Sequence, residues 1–200
     1  MIAGGFCFAG RVYDDLDDAR TAVGWVPLDG RGSMPFALLH GESLVAVASW
    51  ALGEAGVELL DFTAGWEDVR SRDAALVVHD PLCPGTPATF LAEALTAAVE
   101  GDVVVAGVRP VTDTVKVVDA GVLGETVDRA GLLAVTSPVV LPASVVAALE
   151  TPPQVEDLAD LVATMRADRE VVFLEAPPQG RRVVDESDLR LVEALAAGSP

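Results

Sequence analysis

An α/β fold, a three-layer sandwich of the Rossmann type with a mostly parallel sheet, is what this sequence predicts, and three observations carry it. Apolar runs of strand length alternate with helical patterns, as they do in repeated strand–helix–strand units. The run "GDVVVAGV" (101–108) is apolar almost without interruption, which suits a strand buried on both faces, and such strands belong to parallel sheets covered by helices. Ahead of "ATFLAEALTAAVE", the stretch Pro84-Gly85-Thr86-Pro87 supplies a turn, a threonine to cap free backbone amides and a proline preset for the first helical position.

Taken in order, "TAVGWVPL" (21–28) is the first predicted strand and "SLVAVASWALGEAG" (43–56) the first helix. "VELLDF" (57–62) and "AALVVHD" (74–80) follow as strands, then the helix from Ala88 and the strand 101–108. Residues 110–129, "PVTDTVKVVDAGVLGETVDR", break the alternation. Two β-rich arms flank Asp119-Ala120-Gly121, and polar side chains on both arms predict a hairpin that projects from the body. "SPVVLPASVVAALE" (137–150) resumes with a strand or loop and a helix, and Thr151-Pro152-Pro153 punctuates it. Helical spacing over 155–167, strand character over 170–176 and a capped amphipathic helix over 186–197 complete the chain. The Pro and Gly clusters are too short to be linkers, and no repeat is present, so residues 1–200 read as a single domain.

With 51% hydrophobic residues, the 200-residue chain can bury a sizeable core. Its 31 acidic residues against 13 basic ones give a formal charge of −18, which repels polyanions and argues against nucleic acid or an anionic membrane as partner. Cys7 and Cys83 lack disulfide or metal-ligand spacing and read as free thiols of a reducing cytoplasm. No apolar run reaches the ~18 residues of a membrane span and the start carries no basic leader, so a cytoplasmic protein is expected.

Two short stretches carry candidate chemistry. "DGRGSMPF" (29–36) follows the first strand, where backbone amides of a Gly-rich loop can cradle phosphate; taken alone, it reads more readily as a surface turn. His79-Asp80 at a strand end is either a turn-capping pair or, since magnesium needs oxygen ligands, a place where Asp80 can supply one. An anion site in so acidic a chain must concentrate its cations. Arg31, Arg129, Arg182 and Lys116, the sole lysine, are the candidates.

"LVVHDPLCP", "PVTDTVKVVDAGVLGETVDRAGL" and "GRRVVDESDLRLVEAL" together resemble the 2-C-methyl-D-erythritol 4-phosphate cytidylyltransferases, which join CTP to a sugar-alcohol phosphate in non-mevalonate isoprenoid synthesis and release pyrophosphate. His79 and Asp80 match the family's H-D pair, and Thr112 to Lys116 its D-T-I-K arm. Thr126 to Arg129 match T-x-D-R, and Ser137-Pro138 its T-P. The resemblance implies a nucleotidyltransferase-type fold and a Mg2+ cofactor held by Asp80, which also meets the nucleotide. It further implies nucleotide contacts from Gly30, Gly32 and Ser33, substrate contacts from Thr114, Arg129 and Ser137, and a homodimer formed through the 110–129 arm. Departures fall at the loop: no arginine stands between Ser33 and Met34, and Phe36 takes the place of the loop lysine. Arg31 is then the available loop cation, and Arg182 occupies the place of the late lysine, which makes these two the candidate catalytic residues. The segment before Leu76 is also short for the family and lacks its G-G-x-x-R element. Two expectations follow: an active cytidylyltransferase, or an inactive homologue that keeps fold and arm as a binding or regulatory module.

Overall fold

The computed structural model describes residues 22–60 and 63–197. Strand β1 (Ala22–Trp25) leads into the Gly-rich loop, a 3-10 turn at Met34–Phe36, and a minimal hairpin of β2 (Leu38–Leu39) and β3 (Glu42–Ser43). Helix α1 (Leu44–Glu54) starts on Ser43, whose hydroxyl oxygen accepts from the Ala46 amide. Then come β4 (Glu58–Leu59), α2 (Trp66–Arg70), β5 (Ala75–Val78), α3 (Ala88–Gly101) and β6 (Val104–Pro110). The hairpin of β7 (Val115–Asp119) and β8 (Val122–Val127) precedes β9 (Leu133–Leu141), α4 (Ala143–Ala148), α5 (Leu158–Arg166), β10 (Val171–Glu175) and α6 (Glu186–Ala197).

Six strands form the main sheet in the order β10-β6-β9-β5-β1-β4. Every pairing is parallel except those of β9, which runs antiparallel between β5 and β6. Period-two alternation sends the buried strands' side chains into two cores. Leu76, Val78, Val104 and Leu141 meet Leu158, Leu161 and Met165 of α5 on one face. Ala75, Val77, Val105 and Val140 meet Leu52 of α1 and Leu91 and Ala98 of α3 on the other. Sheet and two helical layers make the predicted three-layer sandwich. None of the described helices is long and apolar enough to cross a membrane.

Some boundaries differ from the sequence reading. Pro87, not Thr86, is the N-cap of α3, with extended φ −68° and ψ 145°, and the helix starts at Ala88. The Thr86 hydroxyl instead donates to the Cys83 carbonyl at 2.9 Å, so the threonine closes the preceding turn. β9 begins at Leu133, ahead of the run expected from Ser137, because its outer residues pair with the outer end of β6. Thr21, Asp61 and Phe62 at the ends of two expected strands lie outside the described residues, as does Cys7. The hairpin turns through Ala120 and Gly121, both at positive φ (47° and 82°), which matches the twist that two-residue hairpin turns require. It forms a separate two-stranded sheet.

Candidate functional site

β1 and β5 lie side by side, and the His79 amide donates to the Trp25 carbonyl at 2.9 Å, extending their pairing by one step. Asp80 is therefore delivered at the carboxyl end of a central parallel strand. The chain leaves β1 toward β4 on one side and returns as β5 on the other, and the crevice outside such a reversal is the usual ligand position of an open α/β sheet.

Four donors fill the Asp80 carboxylate, which is 2% exposed as a residue. Arg31 Nε and the Leu82 amide donate to Oδ1 at 2.8 and 2.9 Å. Arg31 Nη2 and Arg182 Nε donate to Oδ2, each at 3.3 Å. The Arg31 guanidinium also donates to the carbonyls of Asp29 (2.6 Å) and Val155 (2.9 Å), and its side chain is 0% exposed. Local backbone explains the burial: Gly30 and Gly32 sit at φ +77° and +57°, so the chain reverses on both sides of Arg31 and turns it inward. Gly32 and Ser33 stay exposed, and Phe36 is 59% exposed.

Behind Asp80, the Ser137 hydroxyl accepts from the Asp80 amide at 3.0 Å and lies 2.5 Å from His79 Nδ1. Burial pushes the His79 pKa down to about 4, with the nearby Asp80 carboxylate only partly opposing it, so the imidazole is neutral at physiological pH. Ser137 and Nδ1 share a hydrogen bond whose donor is set by the imidazole tautomer, which leaves Nε2 as the second ring nitrogen. That nitrogen is buried without a hydrogen-bond partner. His79 thus braces Ser137 and the Asp80 backbone rather than exchanging protons. Burial, reinforced by the Asp80 carboxylate, also drives the Cys83 thiol pKa far above its usual range and makes it a poor nucleophile.

Two cavities open on this end of the sheet. A smaller one, about 300 Å³, is lined by Asp80, Thr136, Asp157 and Arg182 together with the outer part of β9. The Thr136 hydroxyl on its wall is buried with no partner, while the Asp157 carboxylate caps α5 by accepting from the Ala159 amide at 2.7 Å. The larger cleft, about 780 Å³, lies at the carboxyl ends of β1 and β4, between Trp25, Leu59, Leu60 and Trp66. Asp29 is the only charged side chain among its described lining residues, so no described cation faces that cleft.

Of the residues singled out from sequence, Arg31, Asp80, Ser137 and Arg182 meet in one cluster, with Gly30, Gly32 and Ser33 on the loop that carries Arg31. Thr114 and Arg129 are not part of it. Both are exposed beside the hairpin, and Arg129 donates to the Thr112 carbonyl across its base. Sequence reasoning missed Thr136, Asp157, Trp25 and Trp66. Asp157 carried a signal, an N-cap aspartate before an apolar helical run, whereas Trp25 lay inside the expected strand 21–28, which the structure ends at Trp25.

The model of the 2-C-methyl-D-erythritol 4-phosphate cytidylyltransferase family matches residues 61–196, two thirds of the chain. The chain belongs to that family. The match starts beyond the Gly-rich loop and takes in Asp80, the hairpin, Ser137 and Arg182. Solved structures agree in fold. The 2-C-methyl-D-erythritol 4-phosphate cytidylyltransferase of Thermus thermophilus superposes with a TM-score of 0.61 at 21% identity, over 88% of this chain and 98% of that one. The 4-diphosphocytidyl-2C-methyl-D-erythritol synthase of Anaerococcus prevotii gives 0.63 at 12% identity, over 89% and 99%. A further 4-diphosphocytidyl-2C-methyl-D-erythritol synthase gives 0.62 at 17% identity, over 88% and 98%.

A Mg2+ ion fits poorly among these residues. It keeps several waters and takes one or two carboxylates besides substrate phosphates, so Asp80 is the ligand this site would have to supply. Both Asp80 oxygens are already filled by two arginines and an amide. Among the described residues, no three His, Cys, Asp or Glu side chains converge as a metal set.

Proposed function

We propose that this chain is a catalytically silent member of the cytidylyltransferase family, kept as a ligand-binding or regulatory module for a sugar-alcohol phosphate. One observation carries the reading: Arg31, the cation available on the loop, is sealed against Asp80, while Phe36, which the resemblance sets in the place of the family's loop lysine, is 59% exposed. Nucleotidyl transfer is catalysed by cations and donors set where negative charge develops, and the loss of one costs roughly 10²–10³ in rate. Here two are missing from the loop. The smaller cavity supports binding of a phosphate ligand. Arg182 lines it, engaged through Nε alone and with its side chain 40% exposed. The apolar cleft between Trp25 and Trp66 has the size and surface to stack a nucleobase, so CTP is the nucleotide to test, bound weakly for want of phosphate-facing cations. Association of two chains through the hairpin arm, in the cytoplasm, completes the proposal.

An active cytidylyltransferase is the second reading. It is favoured by the meeting of Asp80, Ser137 and Arg182 in one cluster, at positions matching the family's motifs. Purified protein incubated with CTP, Mg2+ and methylerythritol phosphate separates the two. The first reading expects no pyrophosphate above buffer over a wide protein range, while calorimetry detects methylerythritol phosphate binding that Arg182→Ala abolishes. Pyrophosphate release proportional to protein would reject the first reading and establish the second.

A further inference from the structure

We propose that Arg31 is a built-in replacement for a divalent cation at Asp80, so that any anion this site takes is bound without metal. The inference deepens the silent reading and rests on it. Its basis is the geometry of one carboxylate. A carboxylate offers about four lone-pair positions, and Asp80 uses them on Arg31 Nε and the Leu82 amide at Oδ1, and on Arg31 Nη2 and Arg182 Nε at Oδ2. An incoming metal would have to expel a guanidinium whose side chain has no exposed surface. Expulsion would also strip the Asp29 and Val155 carbonyls of the donors that Arg31 gives them.

Arginine suits this position. Its charge is permanent, it is weakly hydrated for a cation, and its planar fork matches a carboxylate. It is also tethered to the same chain, so no free ion competes with it on equal terms. The loop is shaped to present it, with left-handed glycines on either side and Gly30 resting on Glu156, where an added Cβ would come within 3.1 Å of the Glu156 Cβ and carbonyl oxygen. What remains for an anion is the free part of the Arg182 guanidinium, which needs no metal bridge.

Mn2+ shares the oxygen-ligand preference of Mg2+ and can be counted by the paramagnetic resonance of the free ion. Titrating full-length protein with Mn2+ alone, and subtracting the uptake that persists in Asp80→Asn, isolates binding at this carboxylate. The wild type is expected to leave the corrected free-ion signal unchanged, and Arg31→Gln to remove a stoichiometric share of it. Uptake by the wild type that Asp80→Asn abolishes would overturn the proposal, and so would an Arg31→Gln protein of native circular dichroism that takes up none. Should Arg31→Gln fail to fold, Arg31→Lys retains a cation and is expected to stay metal-free; Asp80-dependent Mn2+ uptake by it counts against the proposal. The two readings fail separately. Pyrophosphate release that persists in EDTA ends the silent reading and leaves Arg31 in its role, whereas wild-type Mn2+ uptake without turnover does the reverse.

Discussion

Removing the Arg31 guanidinium would leave a buried carboxylate with one long contact to Arg182 and one amide, and two loop carbonyls without their donor. Breaking a buried ion pair from one side costs about 3–5 kcal/mol, because the partner's charge stays desolvated. Arg31→Ala is expected to lose stability in that range by urea denaturation, more than Arg182→Ala, whose side chain is 40% exposed. His79 supplies a second prediction, in pH. Folding lowers its pKa from 6.5 to about 4, so below pH 6.5 the unfolded chain binds a proton that the folded chain refuses. The contribution is fully present above pH 6.5, declines as pH falls from 6.5 toward 4, and levels off below. The lost stability sums to about 3 kcal/mol at ~1.4 kcal/mol per pH unit. Denaturation curves across this window should be flatter for His79→Gln than for the wild type. Asp80, Ser137 and Arg182 were legible at this scale because motif spacing marks them. The burial of Arg31 was not, since its partner lies 49 residues away and local sequence says nothing of that contact.

At the scale of elements, Gly107 decides how β6 and β9 fit. A Cβ there would come within 2.7 Å of the Ser137 carbonyl oxygen and 3.0 Å of its carbon, at the point where the β6–β9 register shifts. Gly107→Ala must push Ser137 outward, and Ser137 is what His79 and the Asp80 amide bond. The expected cost is about 1–3 kcal/mol of strain by urea denaturation. A weakened His79–Ser137 contact should accompany it, read as a shift of the His79 imidazole resonances in nuclear magnetic resonance. Gly53→Ala is the control: its Cβ would meet nothing within 4 Å, and alanine is the better helix former by up to ~1 kcal/mol. The apolar run 101–108 revealed a buried strand, but a continuous run has no phase in which a bulge could be noticed. The one-residue slip at Thr86-Pro87 has a similar origin, because both residues suit a helix start and only the competing turn at Cys83 decides between them.

For the whole molecule, the question is what the arm does with its surface. A two-stranded hairpin is marginal by itself in water, yet this one leaves Val118, Val122 and Leu123 exposed at 62%, 69% and 70%. The main sheet was legible because alternating strands and helices bury regular patterns. The arm was legible as a hairpin, but one chain's periodicity carries no signal of whether a second chain covers its apolar residues. If two arms cover one another, Val122→Asp with Leu123→Asp should shift sedimentation from dimer to monomer while circular dichroism of the body stays unchanged. Charge adds a check on the same equilibrium. Two chains of −18 repel each other, so association driven by apolar arms should strengthen as salt shortens the screening length from ~30 Å at 0.01 M to ~8 Å at 0.15 M. A wild type that sediments as monomer across that salt range would remove the arm from the proposal and leave its exposed valines without a partner.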